Sequence, residues 1–143
     1  MSNISIRYVM ATVAMLLAAA MMVGGCSSPK PETVAADFIQ AVADGRYDRA
    51  ITMLDVPEKM RQDAQEWQNS QDKLTAMMSN ARDKLEKKGG VSSIEVMESV
   101  YLKPDRQGRE CMRVRLQIVT REGEPASDDV ELVLDGRQWR IIL

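Results

Sequence analysis

The chain has 143 residues, a formal charge of −2 and no histidine, which excludes histidine-based triads, histidine-ligated metals and an imidazole pH switch. Its 19 basic residues are set against 21 acidic ones, so the basic excess of a nucleic-acid binder is missing and no nucleic-acid partner is expected. The length suits one domain able to bury a core.

Residues 1–25 carry a single charge, Arg7, followed by an uncharged and almost wholly apolar run from Tyr8 to Val23. A positive start, an apolar middle and small residues at the end are the parts of a secretory signal. The run is short for a spanning helix, which needs roughly 20 apolar residues; an uncleaved anchor extended through Gly24 and Gly25 is the competing reading. The segment Val23-Gly24-Gly25-Cys26 resembles the lipobox of bacterial lipoproteins. The resemblance implies that Val23, Gly24 and Gly25 are recognised by the signal peptidase, that residues 1–25 are removed, and that Cys26 becomes a lipidated N-terminus anchored in the cell envelope. Two or three acyl chains give stable anchoring where one does not. Ser27 stands where an Asp would signal inner-membrane retention, so an outer-membrane address facing the periplasm is implied for a Gram-negative host. Lipidation of Cys26 leaves Cys111 as the remaining thiol, expected as a packed residue.

Residues 26–31 read as a short lipidated tether; five extended residues reach at most about 18 Å, so the domain from 32 to 143 is held close to the bilayer. Val34, Phe38, Ile39 and Val42 repeat at helical spacing from Glu32 to Ala43, and Asp44-Gly45 ends that helix. Tyr47, Ala50, Ile51 and Leu54 mark a short second helix. Asp55-Val56-Pro57-Glu58 has the form of a capping box, predicting a long third helix over 56–88. Met60, Ala64, Trp67, Gln71, Leu74, Met78, Ala81 and Leu85 form its stripe, apolar except for Gln71. Gly89-Gly90 stops it.

Beyond Gly90 the period changes to two. Ile94, Val96, Glu98, Val100 and Leu102 share one strand face; Met112, Val114, Leu116, Ile118 and Thr120 share the face of a second; Val130, Leu132 and Leu134 make a third; Trp139 and Ile141 alternate in a fourth after the Asp135-Gly136 hairpin. Helices followed by antiparallel strands with one apolar face read as α+β: N-terminal helices on a curved four-stranded antiparallel sheet.

This order of elements, with Phe38-Ile39, Asp44-Gly45-Arg46-Tyr47 and the terminal Asp135-Gly136-Arg137-Gln138-Trp139-Arg140-Ile141, resembles bacterial lipoproteins of unknown function in the nuclear transport factor 2-like, or cystatin-like, superfamily. The resemblance covers about 31–143. It implies a cone-shaped domain, often with a pocket, and often a homodimer through the sheet.

No glycine-rich phosphate loop, nucleophile elbow, Cys-x-x-Cys or carboxylate cluster of metal type occurs in the sequence, so no catalytic set, metal or cofactor is expected. Glu98 is the weak candidate. Regular pairing turns it inward, where desolvation would raise its pKa and make it a general base; a bulge near Met97 would turn it outward instead. Asp37 and Tyr101 are further nominations from the superfamily's habits. Arg113, Arg115 and Arg121 form a stripe on the opposite face, read as solvated and paired across strands with Glu95, Asp129 or Glu131, with lipid headgroups as the competing partner. Three functions remain: a non-catalytic module binding a protein, peptide or small apolar ligand; an enzyme with a cone pocket around Glu98; and an assembly protein acting through a sheet-face dimer.

Overall fold

A computed structural model describes residues 27–143; the signal-peptide and lipidation expectations on Val23, Gly24, Gly25 and Cys26 lie outside the described residues. The chain runs α1 (Pro31–Ala43), α2 (Tyr47–Thr52), α3 (Glu58–Gln62), α4 (Ala64–Glu86), β1 (Val91–Leu102), β2 (Cys111–Thr120), β3 (Ala126–Asp135) and β4 (Gln138–Ile142). The four strands form one curved antiparallel sheet in the order β1-β2-β3-β4, so the expected α+β architecture of helices followed by a meander is the one observed. No helix of the described residues is long and apolar enough to cross a membrane.

Helix α1 begins on Pro31, whose missing N–H costs nothing in a first turn. It buries Ala35, Phe38, Ile39, Ala41 and Val42, the face set by its 3.6-residue period. It stops at Gly45, whose φ of +72° suits a residue without Cβ. The Arg82 guanidinium lies over this glycine: a Cβ there would stand 2.7 Å from Nη1. Arg82 lies beside the Tyr47 phenol and pairs with Glu86 at 2.9 Å, and these neighbours, the phenol first, raise its pKa above the ordinary range. The Gly45-Arg46-Tyr47 turn thereby seats the far half of α4 on α1.

The third helix differs from expectation. The stretch predicted as one helix over 56–88 is two, α3 and α4, broken at Asp63, which adopts an extended φ/ψ of −92°/104°. Asp63 Oδ1 accepts from the N–H groups of Gln65 at 3.0 Å and Glu66 at 2.9 Å, so Asp63 caps the 23-residue α4. Asp55 caps nothing: Pro57 occupies the N-cap of α3, with no side-chain cap. Along the stripe only Met78 is buried, while Trp67, Leu74 and Leu85 are half-buried against the core cluster.

The core lies between the helices and one sheet face. Phe38, Ile39, Val42, Ile51, Leu54 and Met78 meet Val114, Leu116, Ile118, Val130, Leu132 and Ile141. Each such side chain contributes about 1.5–3 kcal/mol on removal from water. Trp139 packs half-buried at the edge of this cluster. The two sheet edges are finished differently. At β4, Asp55 N–H donates to Ile141 O at 2.7 Å and Ile141 N–H donates to Met53 O at 2.8 Å, a parallel bridge centred on Leu54 and Ile141 that covers the edge. At β1 no strand of the described residues pairs on the outer side.

Strand β1 also departs from regular pairing. Val96 opposes Leu116 and Glu98 opposes Arg115, leaving Met97 as an extra residue. This bulge reverses the parity of the strand beyond Met97. Ser99 turns to the helix face, where its hydroxyl donates to Glu32 Oε1 at 2.7 Å. Glu98, Val100 and Leu102 are carried by register onto the outer face with Arg115, Arg113 and Cys111; regular pairing would have put all three inward, and the bulge near Met97 weighed against it for Glu98 is the arrangement formed.

Candidate functional site

The bulge decides the fate of Glu98. Its side chain is 58% exposed and lies 3.7 Å from Arg115 Nη1, on the solvent side of the sheet and in neither of the larger hollows. Nothing there desolvates the carboxyl, so the geometry expected of a buried general base is not the one formed. Asp37 and Tyr101 are exposed as well, and the three are not brought together. The arginine stripe is consumed by ion pairs: Arg113 reaches Glu131 at 2.7 Å and Arg115 reaches Asp129 at 2.8 Å. The Arg115 hydrogen bond holds the Asp129 carboxyl below its ordinary range. Arg121 donates to Gly89 O at 2.9 Å. Cys111 is buried, its thiol donating to Arg109 O at 3.6 Å. Among the described residues no group of acids and thiols is spaced to hold a metal ion.

A different place collects polar chemistry. The covered β4 edge, the α2–α3 connection and the β1–β2 hairpin enclose a groove of about 720 Å³, lined among others by Asp55, Glu58, Arg61, Gln107, Arg109 and Arg140. A second hollow of about 520 Å³ adds Asp48, Trp67 and Gln71 and shares Arg61 and Arg140 with the first. The wall is built by Arg109. Its Nη1 and Nη2 donate to the two oxygens of Asp55 at 3.2 and 3.0 Å, and its Nε donates to Asp105 Oδ2 at 2.7 Å. Two carboxylates on one guanidinium fork push Arg109 far above its ordinary pKa. The N–H groups of Arg109 and Gln107, each 2.9 Å from Asp105 Oδ1, and the Arg109 side chain hold Asp105 below the usual carboxylate range.

Arg140 is fixed by donating Nη1 to Thr52 O at 2.7 Å and Nη2 to Gln138 Oε1 at 3.0 Å. Arg61, the penultimate residue of α3, is exposed and forms no ion pair among the described residues. The arrangement offers an anionic group a cation at Arg61 and a second guanidinium face at Arg140, with the half-buried Trp67 ring alongside. A smaller hollow of about 370 Å³ lies between α1 and α4, floored by Ile39, Val42, Met77 and Ile118 and edged by Lys84 and Lys88.

Sequence reasoning missed this groove. Asp55 reads as a helix cap, and Arg109 sits in a charged turn with nothing local to pair it with a residue 54 positions earlier. The usable signal was Pro104-Asp105 followed by Gly108-Arg109, an Asx-type turn that fixes the arginine's backbone.

A crystal structure of a Campylobacter jejuni protein described as a "Putative NTF2-like transpeptidase" superposes with a TM-score of 0.68 at 22% identity, covering 80% of this chain and 99% of that one. The likeness establishes the NTF2-like fold alone. No curated protein matches the chain by sequence. A family model described as a domain of unknown function, DUF4878, matches residues 24–142. That span takes in the helices, the whole sheet and the groove between them, and the chain belongs to that family.

Proposed function

We propose that this chain is an envelope lipoprotein, anchored by lipid on Cys26, whose NTF2-like domain binds a peptide or protein segment bearing an acidic group. The groove carries the reading. Its central arginine is locked between two carboxylates while Arg61 is left facing solvent beside Trp67. Fixed charges with one open cation favour recognition of a carboxylate over proton transfer. The structural neighbour's description as a transpeptidase belongs to that protein. Acyl transfer through a thiol here would need a base beside Cys111, which is buried and donates to a backbone carbonyl. Anchoring is supported by the apolar run ending in Val23-Gly24-Gly25-Cys26.

Two measurements test the reading. Intact mass of the envelope-extracted protein is expected to match a chain starting at Cys26 plus acyl groups; a mass beginning at Met1 without modification overturns the anchoring. A photo-crosslinking residue at Gln62 is expected to capture partners in the native envelope, and Arg61→Glu to abolish that capture while leaving the melting temperature in place. Capture that is indifferent to Arg61→Glu overturns the groove.

A further inference from the structure

We infer that the C-terminal half of β1 is the edge laid against the lipid bilayer, with the side chains of Met97, Val100 and Tyr101 reaching the headgroup boundary from either side of that edge, beside the anchored N-terminus. The inference rests on the proposed lipidation of Cys26 and adds the orientation of the domain to it. Three observations converge.

The first is exposure. Met97 is 55%, Val100 37% and Tyr101 73% exposed: three large apolar side chains on one short stretch of edge strand, with Val100 on the outer side of the sheet and Tyr101, opposite Met112, on the helix side. The second is where the chain leaves the domain. The Ser99 hydroxyl is bonded to Glu32 in the first turn of α1, so the segment preceding Pro31 departs alongside that same stretch. The four residues from Ser27 to Lys30 span at most about 14 Å, which keeps the anchoring point near it. The third is the contrast between edges: β4 is covered by Met53–Asp55 while β1 is bare.

A second copy of the chain fits this edge poorly. The Met97 bulge interrupts the ladder that a partner strand would need, and antiparallel pairing of two β1 strands about that point crowds Glu95 and Glu98 of both copies. A bilayer asks for no register. It does require that strand N–H and C=O groups stay hydrated, so the contact is shallow and made by side-chain ends. A tyrosine suits that depth, and Lys30 and Lys103, flanking the patch, suit lipid phosphates.

The test uses the lipidated protein in vesicles of phosphatidylethanolamine and phosphatidylglycerol containing a phospholipid with a nitroxide near its headgroup. A fluorophore is placed on Lys103→Cys or, for comparison, on Arg137→Cys in the β3–β4 turn; Cys111 is buried and Cys26 is alkylated. The Lys103 probe is expected to be quenched several-fold more than the Arg137 probe, and Met97→Ser with Tyr101→Ser to erase the difference. Equal quenching of the two probes overturns the proposal. So does a difference that survives both serine substitutions, because the tether alone would then set the orientation. If intact mass shows no acyl groups, it is the anchoring that fails; coupling the Cys26 thiol to a maleimide phospholipid, with the fluorophore carried on an azide-bearing residue at position 103 or 137 in place of cysteine, then lets the same comparison judge the orientation independently.

Discussion

Arg109 is the residue on which most separate parts of the fold converge, since its one guanidinium ties the β1–β2 hairpin through Asp105 to the α2–α3 connection through Asp55. All three side chains are about a quarter exposed, so the pairs are stronger than surface bridges but well short of buried ones. Replacing Arg109 with Met leaves two carboxylates facing each other without a cation, and a loss of about 1–2 kcal/mol is expected from urea unfolding. Arg109→Lys is expected to recover less than half of it, because an ammonium cannot serve both carboxylates in the geometry of a fork; full recovery would show that charge alone matters. Glu98 teaches the converse. Its parity with Ile94 and Val96 was legible in the sequence, and a bulge near Met97 was the competing reading that the register bears out; what the sequence lacked was a local mark to choose between them, because a bulge is one residue of extra chain and Met97 carries no glycine or proline to announce it.

Among the elements, α4 shows how a correct pattern can be given the wrong start. Two Asp-x-x-Glu segments precede its apolar stripe, Asp55 to Glu58 and Asp63 to Glu66. The proline after Asp55 made the first look like the cap, yet that carboxylate is taken by Arg109, and the second does the capping. Asp63→Ala is therefore expected to cost about 1 kcal/mol, read as a lowered melting temperature and faster amide exchange in the first turn of α4, while Asp55→Ala leaves that exchange unchanged. Equal effects of the two substitutions on α4 would refute the assignment. The strands, by contrast, were readable almost throughout: the inward sets on β2 and β3 from Val114 to Ile118 and from Val130 to Leu132 are buried as alternation demands. Alternation is local chemistry, whereas the groove is assembled from segments that meet only after folding, so its members carried no joint signal.

For the whole molecule, the lack of histidine sets the response to pH. Asp105 and Asp129 are held below the ordinary carboxylate range chiefly by hydrogen bonds from Arg109 and Arg115, and Glu32 by the Ser99 hydroxyl. Groups with depressed folded pKa values contribute stability above their unfolded pKa and lose it as pH falls through the folded one. The thermal midpoint is accordingly expected to stay level from about pH 5 to 8 and to fall below about pH 4; a fall between pH 8 and 6 would point to a titrating group other than these carboxylates. The bridge between Leu54 and Ile141 has a consequence for how the domain comes into being. It joins positions 87 residues apart by their numbering, and contacts of such separation close late, after the entropy of a long loop has been overcome. A chain threaded through an export channel from its N-terminus delivers the helices first, with Phe38, Ile39 and Ile51 still uncovered. Under the export proposed above, vectorial delivery leaves the nascent domain in need of a holding chaperone until β4 arrives, and the groove between Arg61 and Arg140 is the last part to take shape.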